Sequence, residues 1–143
     1  MAAKMYGLFL KSMANKELNL NTDSIKAMLC TSAYAPNQDT DQYKLAVTSE
    51  VVGAGYTAGG VAVTGVSVTY TAATNVLALF VTVPAWAAST ITARYLVLYD
   101  ATPATDATRP LIMYDDFVSD QVSSAGSFTY TANAGGIATI TAA

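Results

Sequence analysis

Few side chains in this 143-residue chain are able to do chemistry, and their types narrow the possibilities before spacing is considered. There is no histidine, which removes the commonest general base and the commonest metal ligand together. Cys30 is the only cysteine, so neither an intrachain disulfide nor a cysteine-based zinc site can form, and a nucleophilic thiol would lack its imidazole partner. A small buried apolar side chain is the expected role for it. Asp115 and Asp116 are adjacent, but neighbouring residues of a strand point to opposite faces and cannot jointly flank a bond. Asp39, Asp41 and Glu50 match positions 1, 3 and 12 of a calcium loop, yet Tyr43 stands where a third oxygen ligand belongs and Lys44 where the sharp turn needs glycine. The glycine-rich run Gly53–Gly60 lacks the Gly-Lys-Ser/Thr of a phosphate loop, and Ala58 occupies the third glycine position of a dinucleotide fingerprint. The expectation is a protein with no catalytic residue, no cofactor and no bound metal.

The elements that position these residues read as strands. Tyr6, Phe9, Leu10 and Met13 recur at helical spacing and predict a short N-terminal helix or arm within residues 1–20. Asn19–Asp23 reads as a turn, and Ile25–Ser32 as a strand that is apolar on much of both faces. Pro36–Asp41 and Gly53–Gly60 are loops by composition. Further strands are predicted at Val61–Tyr70, Val76–Val83, Ile91–Asp100, Leu111–Phe117, Ser127–Thr131 and Ile137–Thr141, all rich in Val, Ile, Thr, Tyr and Phe. Ala72–Asn75 and Asn133–Gly136 are the expected hairpin turns. Short turns without alternating helices predict an all-β fold: one domain over residues 1–143, an antiparallel β-sandwich, jelly-roll-like.

Composition points to contact with other protein. Only 12% of residues are charged, against roughly 25% in an ordinary soluble domain. Two long stretches, Val51–Ala93 and Gln121–Ala143, carry no charge. Neither suits a bilayer-spanning helix of about 20 apolar residues, because Gly, Thr, Ser and Asn interrupt both. The apolar run Met5–Leu10 is short and closed by Lys11, so no secretory signal is expected. The net charge of −3 and the scattered lysines argue against a nucleic-acid partner, and no membrane partner is expected.

Candidate interface residues follow from type and place. Tyr6 and Phe9 lie on the N-terminal segment, and Pro36, Tyr43 and Tyr56 in or beside loops able to reach a partner. Trp86 is either core or an anchor on a partner. Arg94 is the only charge between Glu50 and Asp100; it either pairs with a carboxylate, within or between subunits, or stands at an exposed edge, and on an extended strand it shares a face with Leu96, Leu98 and Asp100.

Several segments resemble a family of small structural proteins of tailed bacteriophages. The similarity rests on Asn37-Gln38-Asp39-Thr40-Asp41-Gln42-Tyr43 and on Glu50-Val51-Val52-Gly53-Ala54-Gly55-Tyr56-Thr57-Ala58-Gly59-Gly60-Val61. Trp86 with Ser89–Tyr95, Arg109-Pro110-Leu111-Ile112 with Asp116-Phe117, and Gly135-Gly136-Ile137 extend it, in order, through nearly the whole chain. The chain departs where similar proteins often carry acidic residues before the tryptophan, having Phe80-Val81-Thr82-Val83-Pro84-Ala85 instead. The resemblance implies a capsid decoration, or cement, protein made in the host cytoplasm and bound to the outer surface of the virion's capsid. Its partners would be the major capsid protein and further copies of itself, a dimer being slightly favoured over a trimer. A head-fibre, tail or baseplate module that binds a host receptor is the alternative, and a carboxylate-based glycan hydrolase a remoter one.

Overall fold

β-branched and aromatic residues are frequent in the chain after residue 60, and strands take up most of the backbone there. The computed structural model describes residues 2–142. In chain order its elements are β1 (Ala2–Met5), α1 (Gly7–Ala14), β2 (Ile25–Cys30), a single 3₁₀ turn (Lys44–Ala46), β3 (Val61–Ala62), β4 (Thr64–Thr71), β5 (Val76–Thr82), β6 (Trp86–Asp100), β7 (Leu111–Phe128) and β8 (Ala138–Thr141). One sheet has the order β1-β7-β6-β2-β3, the other β4-β5-β8. Every pairing is antiparallel. The two sheets face each other across a shared apolar core, which makes the fold an all-β sandwich with one short N-terminal helix. The eight strands of the described residues divide five and three, and β4–β5 and β6–β7 remain hairpins inside single sheets.

Between the sheets, Leu79 and Val81 of β5 pack with Leu96 and Leu98 of β6, Ile112 of β7, and Phe9 of α1. A second cluster covers the outer face of the larger sheet, where Met28, Cys30, Val97 and Tyr99 meet Tyr6 and Tyr34. The larger sheet is therefore buried on both faces at its centre, which explains why β2 is apolar on both sides: Ala27 and Leu29 serve one cluster, Met28 and Cys30 the other.

The predicted elements are corrected in four places. The predicted N-terminal helix is present at Gly7–Ala14, but Ala2–Met5 ahead of it forms an unpredicted edge strand on β7. Val61–Tyr70 is two strands in different sheets, the chain crossing over at Val63. Leu111–Phe117 belongs to an 18-residue strand, β7, that runs to Phe128 and follows β6 through several register shifts. Asn133–Gly136 turns as expected, but β8 pairs with β5 and not with the preceding strand, because the chain after Phe128 has already crossed to the smaller sheet.

Candidate interaction surface

The predicted interface residues separate by burial. Tyr6 is 0% exposed: its hydroxyl donates to Tyr34 Oη at 2.8 Å, and Tyr34 in turn donates to Asp41 at 3.2 Å. Phe9 is likewise inside the core. Trp86 is 3% exposed, stacked on Tyr56 at 6.1 Å and edge-on to Phe128 at 5.9 Å. Tyr6 and Phe9 are thereby corrected from interface candidates to core, and of the two readings of Trp86 the core one holds. Their large apolar areas are spent on the sandwich itself, and they shape the surface from beneath.

Pro36, Tyr43, Tyr56 and Arg94 remain half-exposed. The fold brings the N-terminal segment and the Pro36–Tyr43 loop together, with the Gly7 N–H donating to the Gln38 carbonyl at 2.8 Å. Tyr43 donates its hydroxyl to Glu17 at 3.1 Å beyond the helix. Tyr56 is elsewhere, accepting from the Leu29 N–H at 3.0 Å and donating to Glu50 at 2.7 Å. Glu50 is thereby occupied inside the glycine loop, away from Asp39 and Asp41. Among the described residues no three acidic or thiol side chains converge to hold a metal.

The glycines of that loop answer to packing. A Cβ on Gly60, at φ +76°, would collide with the Ala27 carbonyl, and one on Gly55, at φ +77°, would sit 2.7 Å from Ser89 Cα. The loop is pressed flat onto β2 and β6, with Ala54 bridging Thr90.

Arg94 pairs with a carboxylate within the chain. Its Nε and Nη2 bond the two oxygens of Asp116, and that hydrogen bond foremost holds the Asp116 carboxyl below the usual range. The expected face shared with Leu96 and Leu98 is corrected. Ala93 and Leu96 both point inward, because β6 and β7 lose register between Ala93 and Tyr95, leaving Arg94 at the break.

Asp115, on the opposite face of β7 from Asp116 as alternation requires, is buried and accepts from the Tyr130 hydroxyl at 2.8 Å. Asp100 is also buried at the edge of an open hollow of about 770 Å³ between the helix C-terminus and β6. One Asp100 oxygen accepts from the Thr102 N–H at 2.8 Å. Burial raises its carboxyl above the usual range, the Thr102 bonds oppose this, and Asp23 adds to the rise. Glu17, Asp23 and Lys16 line the same hollow, and the chain has no histidine to join them.

A surface feature that sequence reasoning left in pieces appears on folding. Every Asp, Glu, Lys and Arg lies within residues 1–50 or 94–120. The two charge-free stretches meet in space: β5 pairs with β8, and the first half of β6 with the second half of β7, from Trp86 opposite Phe128 to Ala93 opposite Gln121. The smaller sheet and the adjoining halves of β6 and β7 thus carry no charged side chain while exposing Val68, Tyr70 and Val122, with Val118 beside the frontier; residues 51–62 instead lie against β2, where Ala62 faces Lys26 and Val52 is exposed. The signal for these residues was present as two uncharged runs, but their convergence depends on long-range pairing.

No family model, no curated protein and no solved structure matches the chain.

Proposed function

We propose that this protein is a non-enzymatic structural component of a tailed-phage virion: a decoration protein that binds the outer surface of the head and strengthens contacts between major capsid protein subunits. The observation that carries the reading is the charge-free part of the sandwich. A surface of Thr, Ser, Ala, Val and Tyr loses little hydration when covered, and depletion of charge marks the core of protein interfaces. The resemblance of the Asn37–Tyr43 and Glu50–Val61 segments to phage head proteins supplies the particular assembly.

A clip that touches two capsid subunits adds the loss of its own contacts to the work of separating them. Two modest contacts on one rigid body act at high effective concentration, so the clip holds without chemistry. The decisive experiment counts copies in purified virions and heats particles lacking the protein. Hundreds of copies and earlier release of DNA are expected. A few copies confined to the tail would select a receptor-binding module, and unchanged heat release would end the cement reading.

A further inference from the structure

Four strands end the two sheets: β1 and β3 in the larger, β4 and β8 in the smaller. Three are short, at four, two and four residues, and β1 carries Lys4. β4 differs, with eight residues and not one charge or proline. It pairs with β5 alone, and its residues are exposed on both faces apart from half-buried Val66. Val68 is 39% and Tyr70 55% exposed. An edge of this length displays a row of unpaired N–H and C=O groups, and natural proteins usually guard such edges with lysine, proline or an inward charge. Here the only interruption is the bulge between Thr64 and Ser67, with Gly65 at φ +61°, which leaves Ser67–Thr71 regular.

That regular segment is complementary to itself. In an antiparallel pairing with its own copy about Thr69, Ser67 lies opposite Thr71, Val68 opposite Tyr70, and Thr69 opposite Thr69. Hydroxyls meet hydroxyls on one face, and a β-branched residue meets an aromatic on the other, the cross-strand pairs that favour a sheet. No like charges oppose one another anywhere along it.

We infer that β4 is a homodimer interface, joining two copies edge to edge about a two-fold axis so that two three-stranded sheets become one sheet of the order β8-β5-β4-β4-β5-β8. The occupant of the edge is a second copy of this chain, since the segment is matched to itself in polarity and in register. The inference deepens the assembly reading above and rests on it for its purpose: a two-fold clip presents the same capsid-binding surface twice.

The test is a charge exchange at the two-fold axis, on the whole purified chain. Light scattering coupled to gel filtration should give a dimer for the parent, and monomers for Thr69→Lys and for Thr69→Glu, because each places like charges directly opposite. Mixing the two variants should restore the dimer, which a general loss of folding would not do. A monomeric or trimeric parent, variants that remain dimers, or a mixture that stays monomeric would each overturn the interface. Copy number on virions is read separately, so loss of capsid binding with an intact dimer would count against the capsid reading alone.

Discussion

Arg94 of β6 and Asp116 of β7 form a two-pronged ion pair at the place where the register of the two longest strands breaks. Asp116 Oδ1 also accepts from the Val118 N–H at 2.7 Å, and Val118 has φ +69°. One carboxylate therefore holds both sides of the break, at the frontier between the charged and charge-free parts of the molecule.

This arrangement predicts a local effect. Asp116→Asn should lower the urea midpoint modestly and speed hydrogen exchange at Val118, since both anchors of the distorted turn weaken together. Arg94→Ala added to it should cost little more, because the two residues share one interaction. Independent losses in a double-mutant cycle would refute the coupling.

Acid should act in one direction through two ion-paired carboxylates, beside Glu17 that Ser12 holds low, and in the other through Asp100. Lys44 foremost, with Arg109, holds Asp106 below the usual carboxylate range, as Arg94 holds Asp116. Their contribution is present above the unfolded pKa of about 3.9 and is lost as pH falls through the depressed folded values. Asp100 has the opposite sign: its raised folded pKa makes the charged form costly at neutral pH, and protonation on acidification relieves it. Asp100→Asn should thus raise stability at pH 7, and Asp106→Asn should flatten the fall below pH 4. Urea midpoints measured from pH 3 to 7 check both.

Trp86 offers a test of its place in the core. Trp86→Ala should destabilise by about 3–5 kcal/mol, the range for deleting a large buried aromatic, with a fall in melting temperature. An exposed anchor would leave folding unchanged and weaken only partner binding.

The glycine loop should tolerate no side chain where it lies flat. Gly60→Ala is expected to cost at least about 2 kcal/mol, since it adds a collision to an unfavourable φ. At Gly135 the nearest atom to an added Cβ is 3.4 Å away, in a side chain, so Gly135→Ala should be close to neutral. Thermal melts of the two variants compare them directly.

The carboxylates give a functional prediction as well. Asp115→Asn and Asp116→Asn, made separately and checked for folding, should leave head stability in the heat-release assay nearly as in the parent. A loss of some activity on a glycan, with folding retained, would instead point to catalysis.

Much of the fold was legible because it is local. The helix around Phe9, the two-sided apolar strand at Ile25–Cys30 and the hairpin at Ala72–Asn75 all follow from spacing and turn chemistry. What was hidden depends on distant partners. Ala2–Met5 is a strand only because β7 is there to pair with it, and the predicted strand Leu111–Phe117 stops short of a ladder that resumes at Gln121, opposite Ala93. Arg94 was assigned the wrong face because period-two counting assumes an unbroken register. The candidate surface was half visible: the uncharged runs were plain, but only the pairing of β5 with β8 and of β6 with β7 makes them one region.

The confinement of ionised groups to one part of the sandwich gives its two ends opposite responses to ionic strength. Raising salt screens contacts made through the lysine- and aspartate-bearing end, over a Debye length that shrinks from about 10 Å at 0.1 M to 3 Å at 1 M. Sulfate at the same concentrations strengthens burial of the neutral end. A single salt series on particle binding would therefore report which end lies against the shell and which faces the medium.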